Sequence, residues 1–188
     1  MGSYAISVGE ESMMRKIQLI IYYLIISKLP HSRYGMIFNT IRCWYVSDIL
    51  KIMKKSKHNY FENGVYIGNA TKVTIGEHCH INENCFLQGV TIGDYVLVAP
   101  NVSILNSNHE YRDTTIPIIL QGDTDEENPV IEDNVWIGRN VVIMPKIRVE
   151  EGTIIGAGAV VTKNVKTFTI VGGVPAKLIK KRVTCVEL

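Results

Sequence analysis

The chain has 188 residues, enough for one compact domain with a sizeable core, and 46% of them are hydrophobic. Its net charge of +2 is unevenly spread: residues 1–60 carry nine Lys/Arg against three acids, residues 61–188 eleven against fifteen. No aromatic–basic recognition motif accompanies the basic part, which argues against a nucleic-acid partner, and Met1-Gly2-Ser3 lacks the basic opening of a signal peptide.

Residues 1–64 read as an α-helical extension. Glu10 to Leu29 has the pattern of a helix, with two acids in its first turn and Pro30 ending it. Its apolar run, Ile17 to Ile26, is shorter than the roughly 20 residues a bilayer span needs. A second helix is expected from Met36 to Lys55, with Ile37, Ile41, Trp44, Ile49, Ile52 and Met53 on one face. Two readings stay open for this part. The helices pack on the rest of the chain or on a neighbouring subunit, or residues 10–57 touch a membrane peripherally through a basic and aromatic surface that includes Lys51, Lys54, Lys55 and Lys57. The cysteines Cys43, Cys79, Cys85 and Cys185 form no CxxC pair, which fits a reducing cytoplasm.

From residue 65 the pattern changes to a period of six. Ile75, Ile81 and Leu87 open hexads, followed after a shortened corner at Gln88-Gly89 by Ile92, Val98 and Ile104. The same period runs through Ile131, Ile137, Ile143, Val149, Ile155 and Val161, with Val135, Val141, Ile147, Thr153, Ala159 and Val165 four places on. A strand alternates with period two and a helix with 3.6, so six points to a repeat architecture. Three hexads make one triangular turn, with glycines and Asn140 or Asn164 at the corners. Ile131 then lies under Val149, and Ile137 under Ile155. One coil cannot bury its own inner face, so several must stack; about four and a half coils give a prism about 20 Å tall. His78-Cys79-His80 looks like a metal cluster, but Cys79 should point inward and its neighbours outward, so no metal is expected there.

The repeat stops between residues 106 and 129 and then resumes. A loop of that length in a compact fold carries function or is disordered, and this one opens with Asn108-His109-Glu110.

At this point the chain resembles the hexapeptide-repeat acyltransferases, which fold as a left-handed parallel β-helix. The motifs are "IGDYVLVAPNVSILNSNHEY", "IPIILQG", "VIEDNVWIGRNVVIMP", "IIGAGAVVTKNV" and "VGGVPAKLIKKR". The resemblance covers roughly 65–182 and is nearest to galactoside and maltose acetyltransferases and to the sugar O-acetyltransferases of capsule and lipopolysaccharide. "SKLPHSRYG" is similar to the extension of the capsular branch. It implies an all-β fold: a β-helix domain over 65–188, an extended loop at 109–129 and a short C-terminal helix. It implies acetyl-CoA as co-substrate, a sugar or oligosaccharide acceptor, and a homotrimer. His109 stands where the family has its catalytic base. Asn82, with Asn84 in the same "NEN", matches an acceptor contact. Trp136 and Gly138 match positions along the family's acyl-donor channel, and Arg139 the position whose backbone N–H faces the thioester carbonyl. Ala157, Thr162 and Lys163 lie in the segment along which the family's coenzyme runs, and Lys177 and Lys180 match basic residues near its phosphates. Arg139 replaces the small residue often seen there, and the helical acceptor segment of galactoside acetyltransferases has no clear counterpart.

The chemistry agrees. A sugar hydroxyl is a poor nucleophile at neutral pH and needs a base within hydrogen-bond reach, for which imidazole is suited. Glu110 or a carbonyl could orient the ring. The expected reaction is direct O-acetylation of a surface polysaccharide or its precursor, in the cytoplasm or at the inner face of the membrane. N-acetylation of an amino sugar, a three-histidine zinc carbonic anhydrase and a non-catalytic scaffold are the alternatives.

Overall fold

A computed structural model describes residues 2–183, and the side chains of 13–183. Each hexad contributes a two-residue strand whose first side chain faces outward and whose second is buried, as in Trp136–Ile137, Arg148–Val149 and Leu97–Val98. Repetition of that unit winds a parallel β-solenoid with three faces. Face 1 stacks Val73–Ile75, Val90–Ile92, Val130–Ile131 and Arg148–Val149. Face 2 stacks Tyr60–Phe61, His80–Ile81, Leu97–Val98, Trp136–Ile137, Ile154–Ile155 and Thr169–Gly172. Face 3 stacks Tyr66–Ile67, Phe86–Leu87, Ser103–Ile104, Val142–Ile143 and Val160–Val161. The register is the one the spacing requires: Ile131 pairs with Val149 and Ile137 with Ile155. Their side chains are buried, each worth about 1.5–3 kcal/mol of transfer free energy.

The chain turns its corners in the left-handed region. At the edge between faces 2 and 3, Gly64, Asn84, Asn101, Asn140 and Gly158 form one column, with φ from +58° to +72°. Asparagine is the non-glycine residue that tolerates this conformation best, which explains the recurring choice. Asn164 serves differently: its side-chain oxygen accepts from the Arg148 N–H at 2.9 Å. The solenoid is also taller than the hexads alone predict. Met53 bridges to Ile75 below the first recognised repeat, and Thr169–Gly172 adds a strand above the last. Face 2 thus has six parallel layers, about 24 Å at the usual strand spacing.

A solenoid exposes three open strand edges at its first coil, and the extension covers all of them. Helix α1 (Gly2–Leu24) caps face 3: the Tyr22 hydroxyl donates to the Val65 carbonyl at 2.7 Å, and the Tyr23 hydroxyl accepts from the Ile67 N–H at 2.9 Å. Helix α2 (Met36–Trp44) caps face 2, where Asn39 accepts from the Phe61 N–H and Arg42 donates to the Phe61 carbonyl. Residues 52–54 cap face 1 against Ile75. This use of the chain departs from the predicted helix limits. α1 ends at Leu24 and a 3-10 turn over Ile26–Lys28 follows, while α2 gives way at Tyr45 to a wider turn that sends Leu50, Ile52 and Met53 inward. The expected short C-terminal helix is corrected as far as the chain is described: Lys177–Lys181 is a strand, antiparallel to Thr169–Gly172. Backbone pairing with the last exposed edge decides against the helix. Cys185 lies outside the described residues.

Arg42 is the anchor of the cap. Its guanidinium is fully buried and donates to Glu62 at 2.7 Å and to the Leu29 and Pro30 carbonyls at 3.0 and 2.8 Å. Burial holds its pKa below the ordinary arginine value, with Glu62 opposing. Arg42→Ala leaves the buried Glu62 without its guanidinium partner, so urea denaturation should show a loss of about 3–5 kcal/mol; an unchanged midpoint would refute this account of the cap.

Candidate functional site

Strict stacking turns each position of the hexad into a column along the prism, so the edges decide which residues can meet. On face 2 the outward column runs Tyr60, His80, Leu97, Trp136, Ile154, Ile170. Trp136 is 51% exposed in its middle. Lys180 pairs with Ile170, which puts it three strand spacings, about 14 Å, from Trp136 along the same face. Lys177, opposite Gly172, lies at the end of that face next to edge 2/3.

Edge 2/3 gathers Asn82, Asn84, Gly138, Arg139 and Ala157. Gly138 has to be glycine, because a Cβ there would lie 2.6 Å from the Ala157 nitrogen of the next coil. Among the described residues, the backbone N–H groups of Arg139 and Ala157 find no acceptor. They are two free donors in adjacent coils. Asn82 is fixed by its amide, which donates to the Val98 carbonyl at 2.8 Å. Asn84 is one of the left-handed corner residues. Between them Glu83 lies 3.7 Å from the Arg139 guanidinium and 3.5 Å from His31, so the N-terminal extension reaches this edge.

The extended loop leaves face 3 after Ile104 and re-enters face 1 at Val130, so it stands on edge 3/1. Its base is stapled: Glu127 donates through its N–H to the Asn106 carbonyl at 2.7 Å, and the Asn106 amide donates to Asn128 at 3.1 Å. The two arms then run antiparallel, with Thr124 N–H donating to Asn108 and Glu110 N–H to Gly122. That pairing sets His109 opposite Asp123, and the imidazole Nδ1 lies 2.6 Å from Asp123 Oδ1. Both side chains are exposed. Glu110 instead faces Arg112 at 3.8 Å, so the acid beside the ring is Asp123, not its sequence neighbour. Nothing local in the sequence singles out Asp123; it meets His109 only because the loop folds back on itself. Thr162 and Lys163 follow Val161 on face 3 and so share edge 3/1, both exposed.

The predicted residues therefore fall into two groups. His109, Thr162 and Lys163 stand on edge 3/1, whereas Asn82, Asn84, Gly138, Arg139 and Ala157 stand on edge 2/3, beside Trp136. The width of face 3, about 20 Å for six extended residues, separates them. One chain does not bring His109 to Arg139.

Cys79 and Cys85 are buried in the core, and burial pushes their thiols up to about 11 and about 12. A thiolate at neutral pH is thereby suppressed. The histidines flanking Cys79 diverge from it. His78 stacks between His58 and Tyr95, with centroids at 5.1 and 4.7 Å, and His80 lies against Tyr60 at 4.5 Å.

The chain matches two family models: the bacterial transferase hexapeptide (six repeats) over residues 128–163, and the hexapeptide repeat of succinyl-transferase over 72–106. It is 33% identical over 125 residues to the galactoside O-acetyltransferase of Escherichia coli K12, which covers 65% of this chain and 60% of that one. A provisionally named lipopolysaccharide biosynthesis O-acetyl transferase of the same organism is 32% identical over 115 residues, 58% of this chain and 57% of the relative. The chain thus spans less than two thirds of the curated relatives it matches. Among solved structures, a maltose O-acetyltransferase from Clostridium difficile 630 superposes with a TM-score of 0.71 at 27% identity, over 92% of this chain and 88% of that one.

Burial predicts the behaviour of the thiols. A short iodoacetamide pulse read by mass spectrometry should leave Cys79 and Cys85 unmodified in the native protein and alkylate both after denaturation. Native labelling of either would mean that the core is open there.

Proposed function

We propose, from the premise that this chain is a hexapeptide-repeat β-helix of the bacterial transferase type, that it transfers an acetyl group from acetyl-CoA to a sugar hydroxyl. The acceptor is a surface polysaccharide or its precursor, and the reaction belongs in the cytoplasm, where acetyl-CoA is made and free thiols such as Cys43, Cys79 and Cys85 persist. The observation that carries the reading is the His109–Asp123 pair at the rim of a rigid prism.

Edge 2/3 suits a long, narrow thioester. The free N–H groups of Arg139 and Ala157 supply donors along it, and beside Gly158 the space is open, since even an added Cβ would meet nothing within 4 Å. Trp136 offers an exposed apolar wall on face 2, and the exposed Lys177 and Lys180 supply positive charge for phosphates. Acetyl-CoA brings the activated carbonyl. Asp123 engages Nδ1 of His109, so Nε2 is the nitrogen left to accept the hydroxyl proton. As the C–O bond forms and the C–S bond breaks, the Arg139 N–H donates to the negative charge on the carbonyl oxygen, a contribution of about 3 kcal/mol. His109 then returns its proton to the departing thiolate. Asn82 and Asn84 are the proposed acceptor contacts, and the exposed Thr162 and Lys163 line the coenzyme from the other edge.

Because the base and the oxyanion donor occupy different edges, the reaction needs two copies of the chain. A closed homotrimer meets the requirement by setting edge 3/1 of each subunit against edge 2/3 of the next. The loop tip supports this: Ile118, Ile119 and Leu120 are exposed apolar residues that a neighbour would cover.

Thiol release from acetyl-CoA against a panel of sugars tests the activity. The product should be an ester cleaved by mild alkali, and a stable amide would move the assignment to amino sugars. His109→Ala should lower kcat by a factor of about 10²–10⁴, and Asp123→Asn by less, with KM for acetyl-CoA little changed. Full activity in His109→Ala would overturn the assignment. The shared site predicts complementation: co-expressed His109→Ala and Trp136→Ala chains should form mixed assemblies more active than either variant alone.

A further inference from the structure

Helix α1 has an accounting problem of surface. Its inward side is used up by the cap, where Leu19, Tyr22, Tyr23 and Ile26 pack on the first coil. Amphipathic helices that cap a domain are polar on the other side. This one is not. Met13, Ile17, Ile20 and Leu24, at helical spacing, are 66, 46, 56 and 72% exposed, and Ile21 and Ile25 are exposed beside them. Tyr34, Met36, Ile37 and Trp44, on and next to α2, are exposed apolar residues too. Tyr45, which follows α2, stacks on the buried Tyr22 of α1 at 6.4 Å.

The same N-terminal extension carries unpaired cations. Lys28, Arg33, Lys51 and Lys57 are exposed and enter no ion pair among the described residues. Lys51 shares an open hollow with Met14 and Lys16. By contrast Lys54 and Lys55, also expected to contribute, are neutralised by Asp94 and Asp48. No helix among the described residues is long and apolar enough to cross a membrane.

We propose that the outer side of α1 docks on an anionic lipid bilayer, the stripe from Met13 to Leu24 entering the headgroup boundary and the exposed cations of the extension, Lys16 and Lys51 beside Met14 first, binding lipid phosphates. Apolar residues lining a helix that is too short to span, accompanied by unpaired cations, fit an interfacial location. The charge decides between occupants. A second copy of the chain would bring the same cations to the same face, whereas an anionic surface neutralises them. In the cyclic assembly proposed above, the copies of α1 lie in one plane, so their weak attachments add. Docking itself does not depend on the acetyl-transfer reading.

The test is co-sedimentation of the full chain with phosphatidylglycerol–phosphatidylcholine vesicles and with phosphatidylcholine alone. Binding to the mixed vesicles should be stronger, weaken with added salt and fall on the order of tenfold in Ile17→Glu/Leu24→Glu, with an unchanged melting curve. Equal binding to both vesicle types, or a double variant that binds like wild type, would refute the proposal. A smaller assembly of the double variant in light scattering would refute it too, by making the stripe a subunit interface.

Discussion

A coil that turns a corner every six residues leaves no freedom of register. Each buried Ile or Val sits directly on its counterpart one coil below, and a slip by one residue would turn the whole inward column out to water. The remaining features of the molecule are consequences of that lock. Positions become columns, corners become edges, and an insertion at one corner projects from one edge without disturbing the coils above it. The loop over 106–129 is tolerated for this reason: Val130 pairs with Thr91 as though the chain had never left.

The same lock keeps the chemistry apart. On edge 2/3 the corner geometry spares backbone N–H groups from the ladder, as at Arg139 and Ala157. The imidazole can reach out only where the ladder is interrupted, on edge 3/1. A rigid prism cannot fold one edge onto the other, so the proposed transfer reaction calls for a second copy.

The extension answers a different need. An open solenoid end offers unpaired strand edges, and here tyrosine hydroxyls, an asparagine amide and a buried arginine satisfy them in place of another strand. Capping explains why the helices are present and which sides are buried. It leaves the apolar outer side of α1 without a use inside the monomer, which is why that side points to a partner outside it.

The solenoid, its inward residues, the shortened corner at Gln88-Gly89, the interruption over 106–129 and the family resemblance were all legible in the chain, because a six-residue period is a local signal that repeats. The sequence could not count the coils at the two ends, where Met53 and Thr169–Gly172 join the stack without a full hexad. It read Lys177–Lys181 as helical because a short basic run does not record that it folds back in a hairpin on Thr169–Gly172. Only the tertiary structure chose Asp123 over Glu110 as the partner of His109, since that choice depends on how the loop returns to its own base. And only the winding of the chain showed that residues close in the motif order, such as Ala157 and Lys163, stand on different edges.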